Sequence, residues 1–110
     1  MLETSDRVVA QKGDTAELKI RCSDPDALRI FIERAVAERL GSLSDGIRQT
    51  ENRLQEFEVK YRQSTEEFLR RFNNDELQHT FDFDEWIGES RMLKRLRAKA
   101  ERLRGIEFVD

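Results

Sequence analysis

Apolar residues alternate with polar ones in one short segment near the start of the chain and recur at helical spacing after it. The alternating apolar positions are Ala16, Leu18, Ile20 and Cys22. Alternation of this kind is typical of a half-buried β-strand. A short apolar run at 8–10 and a turn-forming stretch around Gly13 precede it. The N-terminal element, residues 1–24, is therefore predicted to be a hairpin or a lone strand that pairs with another chain.

After this element the spacing of apolar residues becomes helical. Ser23 or Asp24 is suited to cap a first helix. Its apolar stripe comprises Leu28, Phe31, Ile32, Ala35, Val36 and Leu40. The sequence GSLSDG that follows has low helix propensity. It predicts a short turn at Gly41 and a second helix that begins at Ser42 or Ser44.

Two further helices are predicted behind the second one. The second helix carries a heptad-like seam of Ile47, Thr50, Leu54, Phe57 and Tyr61. Ser64 and Glu67 have the spacing of a capping box and predict a short third helix. The last helix is predicted from Asp84 to Arg104, with Asp82 or Asp84 as its cap. Its seam comprises Trp86, Leu93, Leu96, Ala100 and Leu103.

These elements predict a mostly α-helical chain that forms one domain. An N-terminal β-strand or hairpin at 1–24 precedes a helical interaction domain at 25–110 with three to four helices, the long ones pairing antiparallel. Charged residues make up 39% of the 110 residues and hydrophobic ones 37%, so one copy can bury only a thin core. Self-association, as an intertwined homodimer or a larger assembly, is the expected remedy.

Charge is distributed unevenly along the C-terminal half. Residues 91–104 hold seven Lys or Arg against one acid, whereas residues 73–89 hold six acids and no Lys or Arg. Such separation concerns partners or helix ends more than catalysis. The basic helix is expected to pair with acids of the second helix, namely Glu51, Glu56 and Glu58. Binding of phosphate groups is the alternative.

The acidic segment contains FDFDEW, which has three interpretations. Its carboxylates, with His79 nearby, could bind a metal or act as acid and base, but their spacing matches no ligand motif. The favoured interpretation is a helix start, with acids at the positive end of the helix dipole and the aromatic residues holding the entry. The third adds a docking surface for a basic groove of a partner. That surface would comprise Phe81, Asp82, Phe83, Asp84, Glu85 and Trp86.

DNA binding is a competing function for the N-terminal half. A strand, a helix, a Gly-Ser turn and a second helix occur in the order of a ribbon-helix-helix regulator. Lys19 and Arg21 would then contact bases, and Ser42 or Ser44 would hold a phosphate at the start of the second helix. Residues 1–24 carry four basic and five acidic side chains, however, so no basic patch surrounds the strand.

Other classes of protein lack their sequence signals here. Five scattered glycines fit neither a dinucleotide fingerprint nor a phosphate-binding loop. Cys22 is the single cysteine, and no apolar run is long enough for a signal peptide or a membrane span. We therefore expect a cytoplasmic protein that is not an enzyme, binds no metal, cofactor or membrane, and acts through protein partners. A structural coiled-coil adaptor is a further alternative.

Three features of the C-terminal half occur together in a known pattern. They are Lys60-Tyr61 at the end of a long helix, the turn Ser64 to Phe68, and the helix start Asp82 to Trp86. In these features residues 25–106 resemble small archaeal and bacterial antitoxin-like proteins that are encoded beside a small toxin. Those proteins have Gly where this chain has Arg62, so a less sharp turn is expected there. The resemblance implies an antitoxin, and masking of a toxin protein is then the expected function. Binding of operator DNA is the rival function and is compatible with it, because one chain can do both.

Overall fold

The computed structural model describes residues 3–10 and 15–109. In chain order its elements are β1 (Glu3–Ala10), β2 (Ala16–Arg21), α1 (Pro25–Tyr61), α2 (Thr65–Asn73) and α3 (Phe81–Arg104). The described chain is therefore mostly helical, with three helices behind a short N-terminal β element, in agreement with the coarse prediction. It divides into two compact units, Met1–Ala37 and Glu38–Asp110, and α1 contributes residues to both.

The first unit contains a hairpin. β1 and β2 pair antiparallel, with Val8 opposite Leu18 and Val9 opposite Glu17. The register shifts between Thr4 and Val8, which indicates a bulge or an irregularity in β1. Of the two alternatives for the N-terminal element, the hairpin is the one that forms. The predicted turn around Gly13 lies outside the described residues.

α1 begins where the sequence predicts. The Asp24 carboxylate accepts a hydrogen bond from the backbone N–H of Ala27 at 3.1 Å, which is the geometry of an N-cap. The predicted apolar stripe is only partly covered within the first unit. Leu28, Ile32 and Val36 are half-buried, whereas Phe31 and Ala35 are exposed.

The predicted turn at Gly41 is wrong. α1 passes through Gly41 and continues to Tyr61 as one helix. The second helix predicted to begin at Ser42 or Ser44 therefore does not exist, and both serines are exposed residues inside α1. The ribbon-helix-helix order, which needs a turn at this point, is absent from the described chain.

Packing explains why α1 continues through this stretch. Leu43 is buried, with 2% of its surface exposed. Gly46 lies against α3, and a Cβ at this position would make an ordinary van der Waals contact, 3.4 Å, with a methyl group of Leu96. These tertiary contacts outweigh the cost of about 1 kcal/mol for each glycine in a helix interior.

α1 ends at Tyr61 in a sharp turn. Arg62 has a φ of 53°, and the Gln63 N–H donates to the Glu58 carbonyl at 3.2 Å, as in a Schellman cap. The expectation that Arg62 makes this turn less sharp is therefore wrong. The arginine adopts the left-handed conformation that glycine adopts at lower cost. The Glu58 carboxylate also accepts from the Thr65 N–H at 2.7 Å, tying the end of α1 to α2.

α2 agrees with its prediction. The Ser64 hydroxyl accepts from the Glu67 N–H at 3.0 Å and caps the helix. The Glu67 carboxylate pairs with Arg70 at 2.7 Å. Phe68 is fully buried, so this short amphipathic helix places one aromatic ring in the core.

α3 begins earlier than predicted. Its N-cap is Thr80, whose hydroxyl accepts from the Phe83 N–H at 3.1 Å, so the helix starts at Phe81 and not at Asp84. The prediction that Asp82 or Asp84 caps the helix is wrong. Both aspartates lie in its first turn, where they face the positive end of the helix dipole.

The core of the second unit is built around Trp86 and Phe68. Both side chains are fully buried, and their rings stack with centroids 3.9 Å apart. The predicted seams lie within this unit. Buried members are Thr50, Leu54, Leu93 and Ala100, and half-buried members are Ile47, Phe57, Tyr61, Leu96 and Leu103.

Ion pairs connect α1 with α3 in a regular order. They join Lys60 to Asp82 (2.6 Å), Arg53 to Glu89 (3.1 Å) and Glu51 to Arg97 (2.8 Å). Positions earlier in α1 meet positions later in α3. Of the acids expected to pair with the basic helix, Glu51 does so, whereas Glu58 binds the α2 amide.

Replacing Gly41 by Ala is expected to stabilise the second unit by about 1 kcal/mol, because Gly41 lies inside an exposed helix turn where alanine has the higher propensity. No atom lies within 4 Å of the added methyl group. Urea denaturation monitored by circular dichroism measures the change. Gly88→Ala in α3, equally open, is the matched comparison. A loss of stability at Gly41 alone would indicate a turn there instead of a helix.

Replacing Arg62 by Gly is expected to stabilise the chain by about 0.5–1 kcal/mol. Relief of the left-handed conformation gains roughly 1–2 kcal/mol, and the greater freedom of glycine in the unfolded chain offsets about half of it. Arg62→Ala removes the same side chain but keeps the left-handed cost, so it should not share the gain. Equal denaturation midpoints for the two variants would contradict the explanation.

Candidate docking surface on α3

Residues 81–86 divide into an inward set and an outward set. Asp82, Phe83 and Trp86 are half-buried or buried, whereas Phe81, Asp84 and Glu85 are exposed. This division follows from the helix, in which residues three and four apart share a face. The six residues predicted as one docking surface therefore lie on two different sides of the helix.

Trp86 serves as scaffold for the surface. Its indole N–H donates to the Thr65 hydroxyl at 3.0 Å, so its buried polar group is satisfied. Its ring stacks on Phe57 of α1, with centroids 5.5 Å apart, as well as on Phe68 of α2. One side chain thus holds all three helices together.

The two phenylalanines of the segment have opposite roles. Phe83 packs against Tyr61 and Phe68, with ring centroids 5.1 and 5.2 Å apart. Phe81 has 94% of its surface exposed. The expectation that Phe81 holds the helix entry against the core is therefore wrong, and its ring is available to a partner.

Asp82 is occupied by the end of α1. The Lys60 ammonium donates to its Oδ2 at 2.6 Å, and the Tyr61 hydroxyl donates to the same oxygen at 2.5 Å. The hydrogen bond from Lys60, followed by that from Tyr61, lowers the pKa of Asp82. The same contacts raise the pKa of Lys60 and of Tyr61. This carboxylate therefore stays ionised and fastens α3 to α1.

The exposed residues form a continuous stripe along α3, which we call the outer face. It comprises Phe81, Asp84, Glu85, Gly88 and Met92, all exposed. Their spacing places them within one side of the helix. No atom lies within 4 Å of a Cβ built on Gly88. The outer face therefore has open space at Gly88, between the ring of Phe81 and the side chain of Met92.

The outer face continues into a basic stripe. Its exposed members are Arg91, Arg95, Lys99 and Arg102, at spacings of four, four and three residues. The face thus has an acidic, aromatic end and a basic end. A partner that covers its whole length needs the opposite distribution of charge.

His79 and Cys22 show no arrangement for chemistry. The His79 ring contacts Phe72, with centroids 4.6 Å apart, and its Nδ1 lies 3.8 Å from an oxygen of Asp84. Cys22 is half-buried and free. Among the residues described, no three His, Cys, Asp or Glu side chains lie together as metal ligands would. Within the same residues, no helix has the length and apolarity to cross a bilayer.

The residues proposed for DNA binding lie in two different elements. Lys19 and Arg21 are exposed on β2 in the first unit. Ser42 and Ser44 lie inside α1, where backbone N–H groups are used by the helix itself. The phosphate-binding helix start expected at these serines is therefore missing.

An open groove of about 680 Å³ lies among the three helices of the second unit. Leu54, Leu69 and Leu93 line it, and charged residues of both signs, among them Glu66 and Lys94, surround them. The mixed charge gives this groove no preference for an acidic or a basic ligand.

Three residues of this region make structural contacts that the sequence analysis did not predict. Thr80 caps α3, Thr65 accepts the indole N–H, and Lys60 binds Asp82. Thr80 has the residue type of an N-cap and precedes the helix directly, so a local signal existed for it. The other two act across helices, and no local signal marks them.

No protein family, curated protein or solved structure matches this chain.

Replacing Asp82 by Asn is expected to remove stability at neutral pH and to remove progressively less of it as the pH falls below about 4. The pKa of Asp82 is lowered in the folded chain, so its contribution is present above about pH 4, the ordinary range of an aspartate, and is lost as pH falls through the folded value. Urea midpoints of both proteins at pH 7 and pH 3 measure this difference.

Asp84→Asn is the control for Asp82→Asn. It removes a carboxylate from the same helix turn, and hence the same interaction with the helix dipole, but Asp84 has no contact with Lys60 or Tyr61 among the bonds described. If both substitutions change the urea midpoint equally at pH 7, the contact between α1 and α3 contributes nothing and the assignment fails.

Proposed function

We propose that this chain is a non-enzymatic protein-binding module that self-associates and masks the active surface of a partner protein, as an antitoxin does. The observation that carries the proposal is the exposure of Phe81 beside two acids on a helix whose other side is fixed in the core. An aromatic side chain held on a rigid element is a good anchor for a partner, because little conformational entropy is lost when it docks.

The acids of the outer face favour a basic partner. Asp84 and Glu85 flank Phe81 at the start of α3 and are exposed. A small toxin with a basic groove and an apolar pocket would bury the ring of Phe81 and bring its cations to these carboxylates. Masking of that groove is the inhibitory step. Asp82 takes no part, because Lys60 and Tyr61 already bind its carboxylate.

Self-association is the second part of the proposal. The first unit exposes large apolar side chains, namely Leu18, Ile20, Ile30 and Phe31. Among residues 15–37, the part of this unit whose side-chain burial is described, none is buried as a core residue is. A second copy that covers these side chains would supply the core that one copy lacks, as expected for a homodimer with long helices.

Replacing Phe81 by Ala is expected to weaken binding to the partner by about 2 kcal/mol, roughly thirtyfold in Kd, because the ring is the anchor of the docking surface. The partner to test is the product of the gene beside this one, as the resemblance to antitoxins implies, and it is produced in a bacterial host. Isothermal titration calorimetry measures affinity, and recovery of growth measures masking. Glu85→Lys should also weaken binding, because it places a positive charge against the basic groove of the partner.

Val59→Ala is the matched control, because Val59 is also highly exposed but lies on α1, away from the outer face. It should bind and restore growth like the unchanged chain. Folding of every variant is checked by its urea midpoint. If the neighbouring protein does not arrest growth, or if Phe81→Ala binds it as tightly as the unchanged chain, the proposal is wrong.

A further inference from the structure

The first unit has an apolar strand face with no cover in one copy. β2 alternates apolar residues with Glu17, Lys19 and Arg21, yet Leu18 has 58% and Ile20 36% of its surface exposed. A hairpin of two strands alone is at best marginally stable in water, and further strands with an apolar face, or packing against a helix, stabilise it. Additional strands are therefore one way to stabilise this hairpin.

The outer edge of β2 is the place where strands can be added. In the described part of the chain the sheet consists of β1 and β2 alone, so the far edge of each strand has unpaired backbone groups. β1 contains the register shift between Thr4 and Val8, and such irregularities disfavour edge pairing. Three residues of β1 lie between Thr4 and Val8, whereas only Lys19 of β2 lies between Leu18 and Ile20, so the extra residues belong to β1.

We propose that β2 pairs with β2 of a second copy, antiparallel about a twofold axis at Leu18, to form a four-stranded sheet in the order β1-β2-β2-β1. The proposal deepens the self-association in the proposed function and rests on it. Leu18 would lie opposite Leu18 of the other copy. The apolar faces of the two hairpins would join into one continuous face of a four-stranded sheet.

Charge selects this register among its neighbours. With the axis at Leu18, each Glu17 lies opposite Lys19 of the other copy, and no like charges meet. An axis at Glu17 or at Lys19 places that residue opposite itself. An axis at Ile20 places Lys19 opposite Arg21. An axis between two residues, such as Glu17 and Leu18, shifts the pairing by one residue and would set apolar side chains opposite polar ones. The strand is therefore complementary to itself in one register.

Disulfide formation tests the register. Cys22 is the single cysteine of the chain, so Cys22→Ala gives a background without thiols. In that background Leu18→Cys is expected to form a covalent dimer on mild oxidation, because opposite residues have Cα atoms about 4.5–5.5 Å apart, within disulfide range. Non-reducing electrophoresis before and after a reductant measures it, at micromolar protein.

Lys19→Cys in the same background is the matched control. In the proposed register the two copies of residue 19 lie about 8 Å apart, beyond the reach of a disulfide. It should remain monomeric on the gel. A covalent dimer from Lys19→Cys but not from Leu18→Cys would overturn the register, and no covalent dimer from either would overturn the pairing of β2 with itself.

Charge reversal provides a second test that does not depend on cysteine. Glu17→Lys and Lys19→Glu each place like charges opposite one another twice in the dimer, and each is expected to weaken self-association about tenfold. The double variant restores opposite charges and should recover the original dimer Kd. Sedimentation velocity measures all four proteins. Single variants with an unchanged Kd would overturn the proposal.

Failure here can be distinguished from failure of the proposed function. A chain that dimerises but shows neither the Leu18 disulfide nor the charge effect retains self-association and loses only this pairing. A monomeric chain that still binds its partner through Phe81 loses this pairing and the self-association. If the dimer forms the expected disulfide but does not bind the product of the adjacent gene, the β2 pairing is supported and the masking function is wrong.

Discussion

The second unit depends on the burial of one indole ring. Trp86 brings Phe57 of α1 and Phe68 of α2 to the same place, in a unit whose other surfaces are mostly charged. Truncating a buried tryptophan costs about 3–5 kcal/mol, which is a large part of the stability of a small domain. The hydrogen bond to Thr65 is part of the same interaction, because a buried N–H without a partner costs roughly 1–3 kcal/mol.

The ion pairs between α1 and α3 fix the alignment of the two helices more than they stabilise the fold. Pairs such as Arg53 with Glu89 have one exposed partner, and exposed pairs contribute only about 0–1 kcal/mol each. Their order along α1 and α3 is nonetheless informative, because sliding one helix by a turn would separate all of them.

Local patterns predicted what local interactions determine. The Ser64 cap needs only residues within one turn, and its prediction is confirmed. The prediction of a turn at Gly41 failed because tertiary contacts of α1 outweigh the low helix propensity of this stretch. The caps assigned to Asp82 and Asp84 failed because their residue type fits a cap as well as Thr80 does, and the phase of the helix decides among the three. That phase is set by packing, which a local pattern does not contain.

The exposure of Phe81 follows from the burial of Trp86. Five residues of α-helix turn by 500°, so Phe81 lies about 140° around α3 from Trp86. Once the indole faces the core, Phe81 must face away, whatever its own hydrophobicity. Asp84 is turned away for the same reason. The hydrophobic count of FDFDEW alone suggests a single cluster, whereas its spacing separates a core side from a contact side. Under the proposed function, substitutions on the exposed side change binding without disturbing the core, and those on the core side change both.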